Sequence, residues 1–179
     1  MYQRRGADGE SAMAKQYIDN NRLKQMTKSS VLAIKRYSKL AELYSRLMIA
    51  GGKYIYLDPS DTAHWIDRYL ENGEYITPKH ISYEMVKRCG LIPLMCYDNL
   101  IEMYSRTRPQ GGKPRVYIGF SLMMPEDLWI QHVWMYDGET IYESTPVESV
   151  KYFGIPITIR EFRKWMDDYR WMLPSEQDW

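Results

Sequence analysis

The spacing of apolar side chains predicts a helical first third of the chain. From about residue 11 to residue 50, apolar positions recur at steps of three and four, the period of one helix face. One such stripe consists of Ala33, Tyr37, Leu40, Tyr44 and Leu47. The glycine pair at 51–52 is typical of a helix end. Residues 1–52 are therefore predicted to form a mostly helical N-terminal region.

Short elements are predicted between this region and the centre of the chain. Residues 53–57 have the composition of a strand, residues 58–61 that of a turn, and residues 63–71 that of a short helix. Residues 81–88 are predicted to form another helix, which ends near Gly90. Pro93 is expected to begin a helix that runs to about Tyr104.

The second half of the chain has a strand pattern. Strands are predicted at residues 115–122, 132–136, 139–143 and 155–159, followed by an amphipathic helix at residues 160–172. With 179 residues and 45% apolar side chains, the chain is long enough for one core. The prediction is a single α+β domain over residues 1–179, with helices packed on a small antiparallel sheet.

The dipeptide Asp137-Gly138 predicts a tight hairpin between two of these strands. A two-residue loop there pairs Tyr136 with Glu139 and, further out, His132 with Glu143. Directly opposed residues have Cβ atoms about 4.5–5.5 Å apart, which allows a hydrogen bond between imidazole and carboxylate. Glu143 is therefore predicted to orient His132 as the acid of a catalytic triad does.

Cys96 is the candidate nucleophile. It lies in the first turn of the helix predicted after Pro93, where free N–H groups and the helix dipole favour a thiolate. The backbone N–H of Cys96 is the expected oxyanion donor, and Asn99 is either a second donor or a helix-surface residue. Trp134 either shields the site or packs in the core. Cys89 is interpreted as a structural thiol.

These residues, in this order, resemble the transglutaminase-like cysteine enzymes of the papain-like superfamily. The similar segments are MCYDNL (95–100), VYIGFSL (116–122) and HVWMYDGETIYESTP (132–146). The resemblance implies a papain/transglutaminase-like core over residues 93–157, with Cys96, His132 and Glu143 as the triad. Glu143 departs from the Asp that is common in that family.

A narrower resemblance is to small bacterial and phage proteins. These have a Cys-Tyr-x-Asn helix start, a Gly-aromatic strand, a His-x-Trp strand and a downstream Tyr-x-Gly step. The corresponding residues are 96–99, Gly119-Phe120, 132–134 and Tyr152-Phe153-Gly154.

Three classes of function follow from these patterns. The first is a cysteine-dependent enzyme that hydrolyses or transfers an acyl group at an amide, isopeptide or ester of a protein or peptide-like substrate, without a cofactor. The second is an inactive module of the same fold that binds a protein partner. The third is a nucleic-acid binder, suggested by 11 Lys and Arg against 4 Asp and Glu in residues 1–53. A solvated helix face explains that bias better, because the whole chain has a formal charge of only +1.

Cysteine usage and hydropathy bear on the cellular location of the protein and on its possible metal site. Two cysteines are too few for a disulfide framework, which favours a reducing, cytoplasmic location. No leader peptide and no run of about 18 apolar residues is seen, so no membrane association is expected. A zinc site is not expected either, because the spacings between its possible ligands do not match paired-ligand motifs. Those possible ligands are His64, His80, Cys89 and Cys96.

Overall fold

The computed structural model describes residues 37–89, 95–107, 113–146 and 148–170. Within these ranges the chain is a mixed α+β protein with five helices and a seven-stranded, curled mixed sheet. The helices are α1 Ser38–Ile49, α2 Pro59–Asn72, α3 Glu84–Cys89, α4 Cys96–Thr107 and α5 Ile159–Arg170. The strands are β1 Tyr54–Tyr56, β2 Glu74–Ile76, β3 His80–Ser82, β4 Arg115–Met123, β5 Leu128–Tyr136, β6 Thr140–Glu143 and β7 Ser149–Ile157.

The strands follow the order β2-β7-β4-β5-β6-β3, and β1 pairs with β5 beside this path. The long central strands β4, β5 and β7 pair antiparallel, as predicted. The prediction of an antiparallel sheet is wrong for β1, which runs parallel to β5, and for β3, which runs parallel to β6. Long intervening segments make this arrangement possible, since parallel strands cannot be joined by a tight turn.

Side chains alternate between the two faces of the sheet, and the two faces have different partners. The helix face carries Phe120, Val133 and Met135, which pack with buried side chains of α1, α2, α4 and α5 in the main core. The opposite face carries a smaller cluster made of Ile76, Tyr117, Trp134, Ile141 and Tyr152. His132 and Trp134 flank Val133 on β5, so both point to the opposite face. Glu143 pairs with Trp134 and therefore lies on that face as well.

Several predicted boundaries differ from those observed. The turn predicted at residues 58–61 is wrong, because α2 already begins at Pro59 and the N–H of Thr62 bonds to the carbonyl of Asp58 at 2.9 Å. Residues 81–88 divide into the end of β3 and most of α3 instead of forming one helix. The end of α1 before Gly51 and Gly52 is confirmed, and both glycines have positive φ.

The strands β5 and β7 are longer than predicted. The first six residues of β7 were not predicted as strand, because the segment begins with polar residues. In the structure, Lys151 donates to the carbonyl of Ala50 at 2.5 Å, and Ser149 is buried. Tertiary contacts therefore extend a strand that the local pattern does not mark. Residues 11–36 of the predicted helical region lie outside the described residues, as do the predicted helix end near Gly90, the predicted helix start at Pro93 and the predicted end of the last helix at 171–172.

Candidate active site

A notch in the outer edge of β5 organises the site. Strand β1 pairs with residues 128–130 of β5, and β6 pairs with residues 134–136. Residues 131–133 lie between these two partners. Side chains complete the hydrogen bonding here: Gln131 accepts from the backbone N–H of Asp58 at 2.7 Å, and the Ser144 hydroxyl donates to the carbonyl of Val133 at 2.6 Å. His132 lies within this stretch, between the residues paired with β1 and those paired with β6.

Helix α4 begins at this notch, and Cys96 is its first residue. The side chain of Asn99, one turn further, donates to the carbonyl of Ser144 at 2.7 Å. Since Ser144 directly follows Glu143, this bond fixes the start of α4 to the end of β6. Asn99 is only 4% exposed, so the expectation of a helix-surface residue is wrong. The structure gives its amide a backbone partner inside the protein.

His132 and Glu143 form a buried pair. Nε2 of His132 lies 2.6 Å from Oε2 of Glu143, and the two side chains are 4% and 0% exposed. The predicted register is nevertheless wrong, because Glu143 lies opposite Trp134 and not opposite His132.

The turn explains this difference of two residues. The N–H of Asp137 bonds to the carbonyl of Thr140 at 3.3 Å, so Gly138 and Glu139 are the central loop residues. The Asp137 carboxylate accepts the N–H groups of Glu139 and Thr140 at 2.9 and 2.8 Å, which holds this turn. Asp137 therefore serves as the residue before the loop, not as its first central residue.

An even shift keeps Glu143 on the face predicted for it. A shift of one residue would have turned the carboxylate to the helix face, whereas a shift of two makes it a diagonal neighbour of His132. Diagonal neighbours lie about 7–8 Å apart, a span that a long side chain can cover. The extra methylene of Glu over Asp thus has a geometric use at this position.

The electrostatics of His132 favour the imidazolium. Burial alone lowers the pKa of His132, but the nearby charge and hydrogen bond of Glu143, together with a hydrogen bond to Cys96, raise it to about 10. Nε2 faces Glu143, and Cys96 is close enough to His132 to contribute to the raised pKa. The structure thus pairs His132 directly with Glu143 and places Cys96 within electrostatic reach of His132.

Sequence reasoning missed Tyr152 as a member of this cluster. Its hydroxyl donates a hydrogen bond to Oε1 of Glu143, the carboxylate oxygen that does not face His132. The tyrosine is completely buried, and burial, reinforced by Glu143, raises its pKa far above the ordinary value. The available signal was its place in the Tyr-x-Gly step, which carried no assigned role.

Trp134 both packs in the core and lies against the site. It is fully buried, and its ring stacks on His132 at a centroid distance of 6.0 Å and on Tyr117 at 5.8 Å. The absence of a side chain at Gly154 leaves room for the ring of Trp134. A Cβ on Gly154 would lie 2.8 Å from Cη2 of Trp134 and 2.6 Å from the carbonyl oxygen of Ile118.

The described residues contain no group of three or more His, Cys, Asp or Glu side chains arranged to hold a metal ion. Of the residues considered for zinc, His64 packs against the ring of Trp65 in α2, with a centroid distance of 4.6 Å. Cys96 is a free thiol and is partly exposed. No helix in the described ranges is long and apolar enough to cross a membrane.

Comparison with known proteins finds no match among the family models, the curated proteins or the solved structures.

Proposed function

We propose that this protein is a cysteine-nucleophile acyl-transfer enzyme that acts on an amide, isopeptide or ester through Cys96, His132 and Glu143. The observation that carries the proposal is the buried imidazole of His132, which contacts the carboxylate of Glu143 through Nε2 at 2.6 Å and lies near enough to Cys96 for that residue to help raise its pKa. This is the arrangement by which a base activates a nucleophile and a third group orients the base.

The three residues differ in solvent exposure in the way that this chemistry requires. Cys96 is partly exposed, while His132 and Glu143 are shielded from solvent. A substrate carbonyl can therefore approach the sulfur, and the proton-transfer pair remains in a water-poor environment that strengthens its electrostatics. A protein or peptide-like substrate is the expected class.

In the proposed reaction, the Cys96 thiolate attacks the carbonyl carbon and forms a tetrahedral intermediate. The carbon–nitrogen or carbon–oxygen bond then breaks, and the leaving group takes a proton from the His132 imidazolium, which leaves a thioester on Cys96. Water or an amine adds to the thioester, His132 accepts its proton, and the carbon–sulfur bond breaks. Glu143 stabilises the imidazolium before the leaving group departs and again after His132 accepts the second proton, and the backbone N–H of Cys96, at the helix start, is the proposed oxyanion donor.

The order of elements supports a papain/transglutaminase-like arrangement. A helix that begins with Cys96 precedes β4, the strand β5 that carries His132, and the strand β6 that ends with Glu143. The transglutaminase-like cysteine enzymes, which the sequence resembles, have these elements in the same order. The mechanism needs no cofactor, since every proton transfer is made by residues of the cluster.

The test is the pH dependence of Cys96 alkylation. In a Cys89→Ser background, Cys96 is the sole thiol of the chain, and iodoacetamide labelling can be followed by intact mass. We expect rapid labelling to persist at pH 6, well below the ordinary thiol pKa of about 8.5. In His132→Gln the rate at pH 6 should fall by at least about tenfold, and the two proteins should converge near pH 9.5.

The opposite result would support the second function. A rate that rises only near pH 8.5, and equally in both proteins, would contradict an activated thiol. The chain would then be a module of this fold whose cluster is structural, and its partner would be sought by binding experiments.

A further inference from the structure

We propose that Tyr152 is a positioning residue that orients Glu143 toward His132, so that the working unit has four members instead of three. This inference rests on the proposed cysteine chemistry. It assigns a role to the hydroxyl of a residue that the triad pattern does not include.

The contacts of Glu143 carry the argument. Each of its carboxylate oxygens has a different partner, because Oε2 faces Nε2 of His132 while Oε1 accepts the hydroxyl of Tyr152. The carboxylate is completely buried, so solvent does not compete for either oxygen. Rotation of the carboxylate would break both bonds together. Tyr152 thereby fixes the plane in which Oε2 meets the imidazole.

The diagonal position of Glu143 explains why such an anchor is needed. Glu143 projects from a site opposite Trp134 and reaches sideways to His132. A Glu side chain has one more rotatable bond than Asp, so its carboxylate is less confined by its own backbone. A second hydrogen bond removes that freedom. The Tyr152 hydroxyl therefore compensates for the longer acid that this chain uses in place of Asp.

Tyr152 keeps its proton over the pH range in which the other groups react. Burial, together with Glu143 and Tyr83, raises its pKa, so the hydroxyl remains a donor. Tyr83 is the other phenol that interacts electrostatically with Glu143, and burial followed by Glu143 and Glu148 raises its pKa as well. Between pH 6 and pH 9.5 both phenols stay neutral. A pH effect in that range therefore reports on Cys96 and His132.

The chain offers a matched control in Tyr117. Its hydroxyl also donates to a glutamate, Oε1 of Glu74 at 2.9 Å, and its ring stacks on Trp134 in the same cluster as Tyr152. Glu74 lies on β2 and has no part in the proposed chemistry. Tyr117→Phe and Tyr152→Phe thus remove the same chemical group from the same face of the sheet.

The experiment compares these variants in the Cys89→Ser background through the ratio of iodoacetamide alkylation at pH 6 to that at pH 9.5. We expect Tyr152→Phe to lower this ratio by about 5- to 10-fold, the size of the net effect of one ordinary hydrogen bond. Tyr117→Phe should leave it unchanged. General loosening would raise labelling at both pH values, so it would not produce this result. An unchanged ratio in Tyr152→Phe, or an equal fall in both variants, would overturn the role.

A double variant tests whether Tyr152 acts through Glu143. If it does, Tyr152→Phe combined with Glu143→Gln should have the same ratio as Glu143→Gln alone. Independent, multiplying losses would contradict the proposal. The two proposals also fail differently. Slow labelling of the unmodified site at pH 6 would overturn both, whereas rapid labelling that Tyr152→Phe does not change would overturn only the role of Tyr152.

Discussion

Both faces of the sheet bury aromatic side chains, but they enclose different polar groups. On the helix face, the fully buried strand residues are apolar, as Phe120, Val133 and Phe153 illustrate. On the opposite face, fully or almost fully buried His132, Glu143 and Tyr152 lie beside Trp134. Because side chains alternate along a strand, polar and apolar members are adjacent in sequence, as His132 and Val133 are in β5 and Tyr152 and Phe153 are in β7.

This difference separates stability from reactivity. Apolar burial on the helix face stabilises the fold without any directional requirement. A buried ion pair contributes little net stability, because removing both charges from water offsets much of their attraction. Under the proposed function, the buried polar groups of the opposite face serve the reaction, whereas the helix face serves stability. Substitutions on the two faces should change different measurable properties.

The largest effect is expected at the notch where the two faces meet. Cys96→Ala should abolish release of p-nitrophenol from p-nitrophenyl acetate, a general acyl donor, because no sulfur remains to form the thioester. Cys96 is partly exposed, so the free energy of unfolding should change by less than about 1 kcal/mol. Turnover and urea denaturation check the two statements. Full turnover in this variant would exclude Cys96 as the nucleophile.

A large loss of stability without a loss of reactivity is expected on the helix face. Phe120 is completely buried and packs edge-on against Tyr69, with ring centroids 5.6 Å apart. Phe120→Ala should therefore lower the free energy of unfolding by about 3–5 kcal/mol, as measured in urea. The pH 6 to pH 9.5 alkylation ratio of the folded protein should remain that of the parent. A ratio as low as that of His132→Gln would show that the two faces are not independent.

The same contrast explains what the sequence could predict. The helix period in α1 and the alternation in β4 reflect burial against one large core, so local pattern identifies them. The candidate triad residues could be proposed from the sequence because a Cys at a helix start and a hairpin with His and Glu are local features. Their grouping follows from topology, which the order of elements suggests.

What the sequence could not provide depends on distant contacts. One missed feature is local instead: the Asp137 carboxylate accepts the N–H groups of Glu139 and Thr140, and the loop lies one residue later than predicted. Tyr152 reaches Glu143 from a strand that is not its neighbour in the sheet, so no spacing in the chain announces that pair. Asn99 likewise finds its partner, Ser144, 45 residues away.

The final prediction concerns the pH dependence of stability. The pKa of His132 is raised to about 10 in the folded protein, against about 6.5 when it is unfolded. Its charged form thus stabilises the fold fully below about pH 6.5, and this contribution is lost as pH rises through about 10. Glu143→Gln removes the charge that raises the pKa, so the wild-type minus variant difference in unfolding free energy should decrease over that window.

His64 provides an internal control for this measurement. Burial lowers the pKa of His64, so its contribution to stability is lost as pH falls below about 6.5, outside the window assigned to His132. Because His64 is present in both proteins, its contribution cancels in the difference. A difference that stays flat from pH 6.5 to pH 10 would mean that His132 is neutral when folded. The contact with Glu143 would then be an ordinary hydrogen bond. The opposite face would contain no His132–Glu143 ion pair, and the two faces would not differ in buried charge in this respect.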